Sequence, residues 1–203
     1  MKNIGRAVGG FSAGLALLCG IFAGTPALAG SKNGQFAVEE VGRTSCASFL
    51  AARKTKSPLY EQQIGFVQGY MTAANRYEPN TFDLSPWHNA EAFALIVEKH
   101  CQAHPTDTMV TTTQRMVVAM MPIRVADFSK LIEVGDGNNK TVLYETILKR
   151  AQTALTRRGL YKGEANGIYD KNVKAAVAQF QKASKLEPTG VPDPATLWLL
   201  LNP

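Results

Sequence analysis

This sequence of 203 residues contains a single long apolar run and shows no internal repeat. Because that run lies at the N-terminus, a protein that crosses a membrane several times is excluded. Extensive disorder is excluded as well, since 45% of the residues are hydrophobic and only 19% are charged. The lack of a repeat predicts that each module occurs once, and the length suits one or two small globular domains.

The N-terminal run has the organisation of an export signal. Lys2 and Arg6 precede the apolar stretch, and Ala27 and Ala29 are small residues at the two positions that a signal peptidase reads. We therefore predict a signal peptide over residues 1–29 and a periplasmic or secreted mature chain with no membrane segment of its own.

A retained membrane anchor and a lipoprotein are the alternatives for this segment. Several glycines interrupt the apolar stretch, which disfavours an anchor. A lipid attached to Cys19 is disfavoured because the bulky Leu18 stands where lipid-attachment sites have a small residue.

Cysteine is scarce, with three residues in the whole chain. Removal of the signal leaves Cys46 and Cys101, and an exported protein meets an oxidising environment. The sequence therefore predicts a Cys46–Cys101 disulfide, which stabilises the fold by roughly 4 kcal/mol in the chain-entropy model.

Helical patterns dominate residues 36–124, which we predict to be the first domain. Apolar residues recur at helical spacing, and we expect helices that begin near Thr44, at Ser57-Pro58, at Ser85-Pro86 and near Thr106. Both cysteines lie on apolar helical faces, so the disulfide would join two packed helices. A turn-rich linker is predicted over residues 125–140, where the pattern after Arg124 leaves room for a short strand.

A few residues of this first domain carry a resemblance to known families. Cys46 and Cys101 enclose a helix with Gly69-Tyr70, and His104-Pro105 follows the second cysteine. This arrangement resembles the small helical domains of the HdeA acid chaperone and Rap1a-type immunity families over about residues 36–121. The resemblance implies a disulfide-bonded helical bundle rather than a particular activity.

Residues 141–203 predict three short helices and carry the net positive charge of the mature chain. The first has an apolar stripe from Tyr144 to Leu155 and ends at Arg158-Gly159. The second is expected to be capped by Asp170 and the third by Asp193-Pro194. The predicted fold class is therefore all-α, with a disulfide-pinned helical domain followed by a three-helix bundle.

The motifs of this segment occur in a specific order. They are Gln152-Thr153-Ala154-Leu155, Gly159-Leu160-Tyr161-Lys162-Gly163, Asn166-Gly167-Ile168-Tyr169, Ala178-Gln179-Phe180-Gln181 and Thr189-Gly190-Val191-Pro192-Asp193. Together they resemble the peptidoglycan-binding domain found in many cell-wall enzymes. The family usually has aspartate at the position of Asn166, glycine at Asp170 and threonine at Val173, so the turn that contains them is altered here.

The resemblance implies peptidoglycan as the ligand. Its sugar faces, amides and carboxylates suit aromatic, amide and basic side chains. We predict ligand contacts from Gly159, Tyr161, Asn166, Gly167, Tyr169 and Gln181. For the two tyrosines, packing in the core is as strongly favoured as contact with the ligand. Phe180 is expected in the core, and Gln181 is expected on the surface.

Catalytic and metal-binding motifs are lacking. The paired cysteines leave no thiol for a cysteine-dependent transpeptidase, and no carboxylate pair stands out for glycoside cleavage. His100 and His104 share a helix face, but the glutamate of an H-E-x-x-H zinc site is missing. We therefore expect no enzyme, metal or cofactor, and the small basic excess of an exported chain predicts no nucleic-acid partner.

The sequence thus predicts an exported, cell-wall-associated protein that binds peptidoglycan without catalysis and displays a helical domain, which could have a protein partner. An enzyme or enzyme inhibitor of wall metabolism with an unrecognised N-terminal site is the first alternative. An HdeA-like acid-stress chaperone is the second.

Overall fold

A computed structural model describes residues 31–202, and the predicted signal peptide therefore lies outside the described residues. From Val38 onward the chain belongs to one compact unit. The fold is mostly helical, as the sequence predicts, with one small two-stranded sheet. The elements are α1 (Cys46–Thr55), α2 (Pro58–Tyr77), α3 (Ala90–Ala103), α4 (Met109–Met120), β1 (Leu131–Asp136), β2 (Asn139–Tyr144), α5 (Glu145–Arg157), α6 (Lys171–Ala183) and α7 (Pro194–Leu201).

Polar side chains cap most of the predicted helix starts. Ser45 caps α1, Pro58 occupies the first turn of α2, and Thr108 caps α4. The prediction for α3 is wrong, because this helix begins at Ala90 with Asn89 as its cap. The Ser85 backbone N–H donates to the Asp83 carboxylate at 2.8 Å, which holds the segment before the helix in a turn.

The predicted disulfide is present. Cys46 at the start of α1 is bonded to Cys101 near the end of α3, with their Cα atoms 4.8 Å apart. Both cysteines are fully buried among the apolar residues of α1 to α4. The bridge therefore joins two helices inside the core of this bundle.

A β hairpin occupies residues 131–144, which the sequence analysis divides between a linker and the start of a helix. Leu131 pairs with Tyr144 and Asp136 with Asn139, which leaves a two-residue loop. Tyr144 thus ends β2 and is not part of the helix, which starts at Glu145. The side chains of Val134 and Leu143 turn inward and are buried.

Apolar side chains form two core clusters. The first contains the disulfide and the inner faces of α1 to α4. The second contains α5 to α7, the buried face of the hairpin, and also Trp87 and Val125 from the preceding region. The hairpin and Trp87 are therefore part of the same core as the C-terminal helices. Within residues 31–202 no helix is long and apolar enough to span a membrane.

Candidate functional site

Two fully buried glutamines organise the C-terminal helices, and the first is Gln152 on α5. Its Oε1 accepts the Gly167 N–H at 2.8 Å. Its Nε2 donates to Asn166 Oδ1 at 3.2 Å and to the Ile168 carbonyl at 3.1 Å. The buried Gln152 amide therefore forms hydrogen bonds with three successive residues of the loop between α5 and α6.

The second is Gln181 on α6, which holds the loop before α7. Its Oε1 accepts the Gly190 N–H at 2.8 Å, and its Nε2 donates to the Val191 carbonyl at 2.9 Å. The same Nε2 lies 3.1 Å from Thr189 Oγ1 and 2.9 Å from Thr196 Oγ1. Gln181 is 0% exposed, so the prediction that it lies on the surface is wrong.

These two loops have the same construction. In each, a glycine with φ near +78° donates to the buried glutamine. The residue before the glycine, Asn166 or Thr189, accepts the N–H two positions later. The aspartate three positions after the glycine, Asp170 or Asp193, caps the next helix. The structure thus contains a repeated loop that the sequence analysis did not find, because few of its residues are identical.

The altered family positions fit this construction. Asn166 Oδ1 accepts the Ile168 N–H at 2.9 Å, a bond that an aspartate carboxylate also accepts. Asp170 Oδ1 accepts the N–H groups of Asn172 and Val173 at 2.9 and 2.8 Å. The turn is therefore intact with the residues present in this chain.

Three further residues predicted to contact the ligand have internal roles. Gly159 has φ +72° and ends α5, where the Leu160 N–H donates to the Leu155 carbonyl at 3.0 Å. Gly167 is buried, and a Cβ there would lie 2.6 Å from Glu145 Cγ. Tyr169 is half-buried, and its hydroxyl donates to the Gly190 carbonyl at 2.8 Å. Burial, with a smaller contribution from Asp136, raises the pKa of Tyr169.

Tyr161 borders an open cleft between the loop after α5 and helix α6. The cleft has a volume of about 470 Å³ and is lined by Leu160, Tyr161, Lys162, Gly163, Asn172, Ala175, Ala176 and Gln179. The Tyr161 ring packs against Gly163, where any side chain would collide with the ring, and its hydroxyl donates to the Glu164 carbonyl. The other five predicted residues do not line this cleft.

Exposed polar side chains supply the chemistry of the cleft. Lys162, Asn172 and Gln179 are exposed, and they offer one cation and two amides. The two amide residues are not among the predicted ligand contacts, although Asn172, Ala175 and Gln179 lie three and four positions apart on one face of α6. Only the adjoining loop distinguishes this face from an ordinary solvated helix surface.

The histidines form no metal cluster in the described part of the chain. Among residues 31–202, no three His, Cys, Asp or Glu side chains come together in a way that could hold a metal ion. His100 Nε2 lies 2.9 Å from Asp107 Oδ2, and its ring centroid is 4.7 Å from that of His104. His88 packs between Trp87, Phe93 and Trp198.

Comparison with known proteins identifies one family. Residues 145–200 match the model of the family described as "Putative peptidoglycan binding domain". No curated protein and no solved structure matches the chain. The matched residues comprise α5, α6, most of α7, both repeated loops and the Tyr161 cleft. The C-terminal recognition made from the sequence is thereby confirmed: residues 145–200 are similar to this peptidoglycan-binding family, which supports peptidoglycan as their ligand.

Proposed function

We propose that the protein is an exported, non-enzymatic peptidoglycan-binding protein whose segment 141–203 attaches a disulfide-bonded helical domain to the cell wall. The observation that carries this proposal is the family match over residues 145–200. The signal-like N-terminus and the Cys46–Cys101 disulfide both favour an oxidising compartment outside the cytoplasm. The location is then periplasmic or secreted, on the wall itself.

The Tyr161 cleft is the ligand site in this proposal. The Asn172 and Gln179 amides can each donate to and accept from sugar hydroxyls or peptide groups, and Lys162 can pair with a carboxylate. The exposed side chains belong to helix α6 and to a loop that begins at the left-handed Gly159, so their backbone loses little conformational freedom on binding. Gln181 and Asn166 then act indirectly, since they hold the loops that shape the domain.

A binding role without catalysis is supported by the groups at this cleft. Its described lining residues include no carboxylate, histidine or thiol, and the Tyr161 hydroxyl donates to the Glu164 carbonyl. Lys162 is left without a second group beside it that would activate it as a base or nucleophile. Cys46 and Cys101 are consumed by the disulfide. The helical domain is then the displayed part of the molecule, and its partner would be a protein.

The experiment is binding of wild-type and variant proteins to purified sacculi. Asn172→Ala combined with Gln179→Ala removes both amides of the cleft. Each lost hydrogen bond costs roughly 1 kcal/mol, so we expect affinity to fall by about tenfold or more. The matched control is Gln62→Ala combined with Gln68→Ala, which removes two exposed amides from α2 and should leave binding unchanged.

Equal binding by the cleft variant and the control would reject the Tyr161 cleft as the site. Muropeptides released into the supernatant by the wild-type protein would reject the non-enzymatic role and favour an enzyme of wall metabolism.

A further inference from the structure

A second groove is lined by basic side chains. Its basic residues precede Gly159 in the sequence, whereas the residues of the Tyr161 cleft follow Gly159. The second groove has a volume of about 470 Å³ and runs along α5 to the end of α7, with Thr146, Lys149, Arg150, Thr153, Ala154, Arg157, Arg158, Leu200, Leu201 and Asn202 along its walls. The α5 residues recur every three or four positions from 146 to 158, so the groove follows one face of that helix. Among residues 31–202, those that line the groove include no acidic residue.

The four cations of this groove have different surroundings. Arg150 donates to the carbonyls of Ile123 and Arg124, and burial lowers its pKa. Lys149 pairs with Glu145 at 2.7 Å. Arg157 and Arg158, in contrast, form no ion pair with any carboxylate of residues 31–202. Within residues 31–202, these two guanidinium groups are therefore without an acidic partner.

Contacts within the domain orient one of these two arginines. The Arg158 guanidinium lies over the Phe180 ring at 5.5 Å and donates from Nη1 to the Ala154 carbonyl at 3.1 Å. Arg157, its neighbour, is exposed. A fixed guanidinium next to a free one suits a carboxylate better than a solvated lysine surface does, because guanidinium donors match the two carboxylate oxygens.

The remaining walls of the groove are apolar and neutral polar. Ala154, Leu200 and Leu201 provide an apolar surface, while Thr146, Thr153 and Asn202 provide hydroxyl and amide groups. A neutral sugar chain would leave the two guanidinium groups without partners. A short peptide could contact all three kinds of lining residue: its carboxylates would pair with the arginines, its small side chains would pack on the apolar residues, and its amides would hydrogen-bond to the polar ones.

We propose that this basic groove binds the stem peptides of peptidoglycan through their carboxylates. The proposal rests on the function proposed above and identifies a peptide-binding subsite for it. Basic residues at a helix C-terminus also offset the helix dipole, but that role requires only the last turn. Here the groove extends over more than three turns of α5 and is completed by the end of α7.

The groove and the Tyr161 cleft flank the same turn. Arg158 belongs to the groove, Gly159 ends α5, and Leu160 already lines the cleft. In this proposal the glycan strand lies at the cleft and its stem peptides lie in the groove. This division assigns sugar and peptide recognition to different faces of one small domain.

The test is titration of the protein without its predicted signal peptide, residues 30–203, with a synthetic stem tetrapeptide, L-Ala–γ-D-Glu–diaminopimelate–D-Ala, at physiological salt. The variant is Arg157→Gln combined with Arg158→Gln, and Lys171→Gln combined with Lys182→Gln is the control of equal charge change. We expect the arginine variant to bind the peptide at least about tenfold more weakly than wild type, and the control within about twofold. The same tetrapeptide with all carboxyl groups amidated should bind wild type at least about tenfold more weakly.

The proposal would be overturned by an amidated peptide that binds as tightly as the free acid, by an arginine variant that matches the lysine control, or by inorganic polyphosphate that binds as tightly as the peptide. Because Arg158 packs on Phe180, Arg157→Gln alone decides the outcome if the double variant does not fold. Sacculus binding without stem-peptide binding would reject this inference and leave the proposed function standing. Failure to bind sacculi would reject both.

Discussion

At the scale of single residues, the C-terminal helices depend on side-chain amides in an apolar core. Gln152 and Gln181 each satisfy the N–H of a left-handed glycine and the carbonyl that follows it. A buried amide stabilises a fold only when its donors and its acceptor all find partners. Both residues meet this condition, which is why polar side chains occupy core positions here.

Replacement of Gln181 with alanine should lower the free energy of unfolding by about 3 kcal/mol. The variant leaves the Gly190 N–H and the Thr196 hydroxyl without their partner inside the core. Urea unfolding measures the change. Gln179→Ala, an exposed amide on the same helix, is the control and should change stability by less than about 0.5 kcal/mol. A loss below about 1 kcal/mol for Gln181→Ala would contradict this role.

His88 should make stability depend on pH. Burial among aromatic rings lowers the pKa of His88 to about 4, against smaller opposing contributions from Ser85 and Asp83. As the pH falls, His88 is protonated in the unfolded chain near pH 6.5 but in the folded protein only near pH 4. The contribution of His88 to stability is therefore complete above about pH 6.5 and is lost as the pH drops towards 4. Between pH 7 and pH 5 we expect a loss of about 1 to 2 kcal/mol.

Urea unfolding of His88→Gln across the same pH range checks this expectation. The variant should lose most of the pH dependence, whereas His104→Gln, at an exposed position, should retain it. Identical pH profiles for His88→Gln and wild type would show that His88 does not titrate as described.

At the scale of secondary structure, local signals in the sequence were sufficient for most elements. Pro58, Asp170 and Asp193 mark helix starts because capping is decided within a few residues. A short strand after Arg124 was allowed for, but the hairpin was not predicted. The turn-rich stretch of residues 135–139 was interpreted as a linker and not as the two-residue loop Gly137-Asn138 that joins β1 to β2. The start of α3 was misplaced because the Asp83 carboxylate binds Ser85 and keeps it out of the helix.

Two glycine substitutions should have opposite effects. Gly190 has φ +77°, and an added Cβ would lie 2.9 Å from the Lys174 carbonyl oxygen, so Gly190→Ala should destabilise the protein by at least about 1 to 2 kcal/mol. Gly69 lies inside α2 with open space around it, so Gly69→Ala should stabilise by about 0.5 to 1 kcal/mol.

Thermal unfolding of the two variants beside wild type measures both changes. A stabilised Gly190→Ala variant would contradict the left-handed conformation assigned to the repeated loop.

The candidate site was less predictable than the elements. Of the six residues predicted to bind the ligand, Tyr161 lines the cleft, whereas Gln181, Gly167 and Tyr169 have contacts inside the domain. Their motif positions reflect how the loops are built, and a sequence pattern cannot separate that role from ligand binding. Asn172 and Gln179 lacked a signal because exposed amides are common on helices.

At the scale of the whole molecule, the region between the two helical groups is a structured part of the fold. The hairpin contributes Val134 and Leu143 to the C-terminal core, and Trp87 and Val125 join the same cluster. Arg150 on α5 donates to the carbonyls of Ile123 and Arg124, just after α4. The two helical groups are therefore joined by apolar contacts of Trp87 and Val125 and by hydrogen bonds of Arg150.

We expect the two core clusters to unfold in one transition, because they belong to one compact unit. The chain has two tryptophans, one in each half of the described chain, and both are next to His88. In Trp87→Phe and Trp198→Phe the remaining tryptophan reports on the packing around His88, whereas far-ultraviolet circular dichroism reports on the helices of the whole fold. The tryptophan fluorescence midpoint in urea should coincide with the midpoint from far-ultraviolet circular dichroism. Separate midpoints would show that the two core clusters do not unfold in one transition.

Specific binding of peptidoglycan by residues 145–200 is tested directly by co-sedimentation of the purified protein with sacculi. With a net charge of +6 for the whole chain, attraction to wall polyanions alone would disappear as salt rises. We expect the protein to pellet with sacculi at both 0.1 M and 1 M salt, where charges are screened beyond about 10 Å and about 3 Å respectively. We also expect no muropeptides to be released. Pelleting at low salt only, or none at either, would contradict specific peptidoglycan binding.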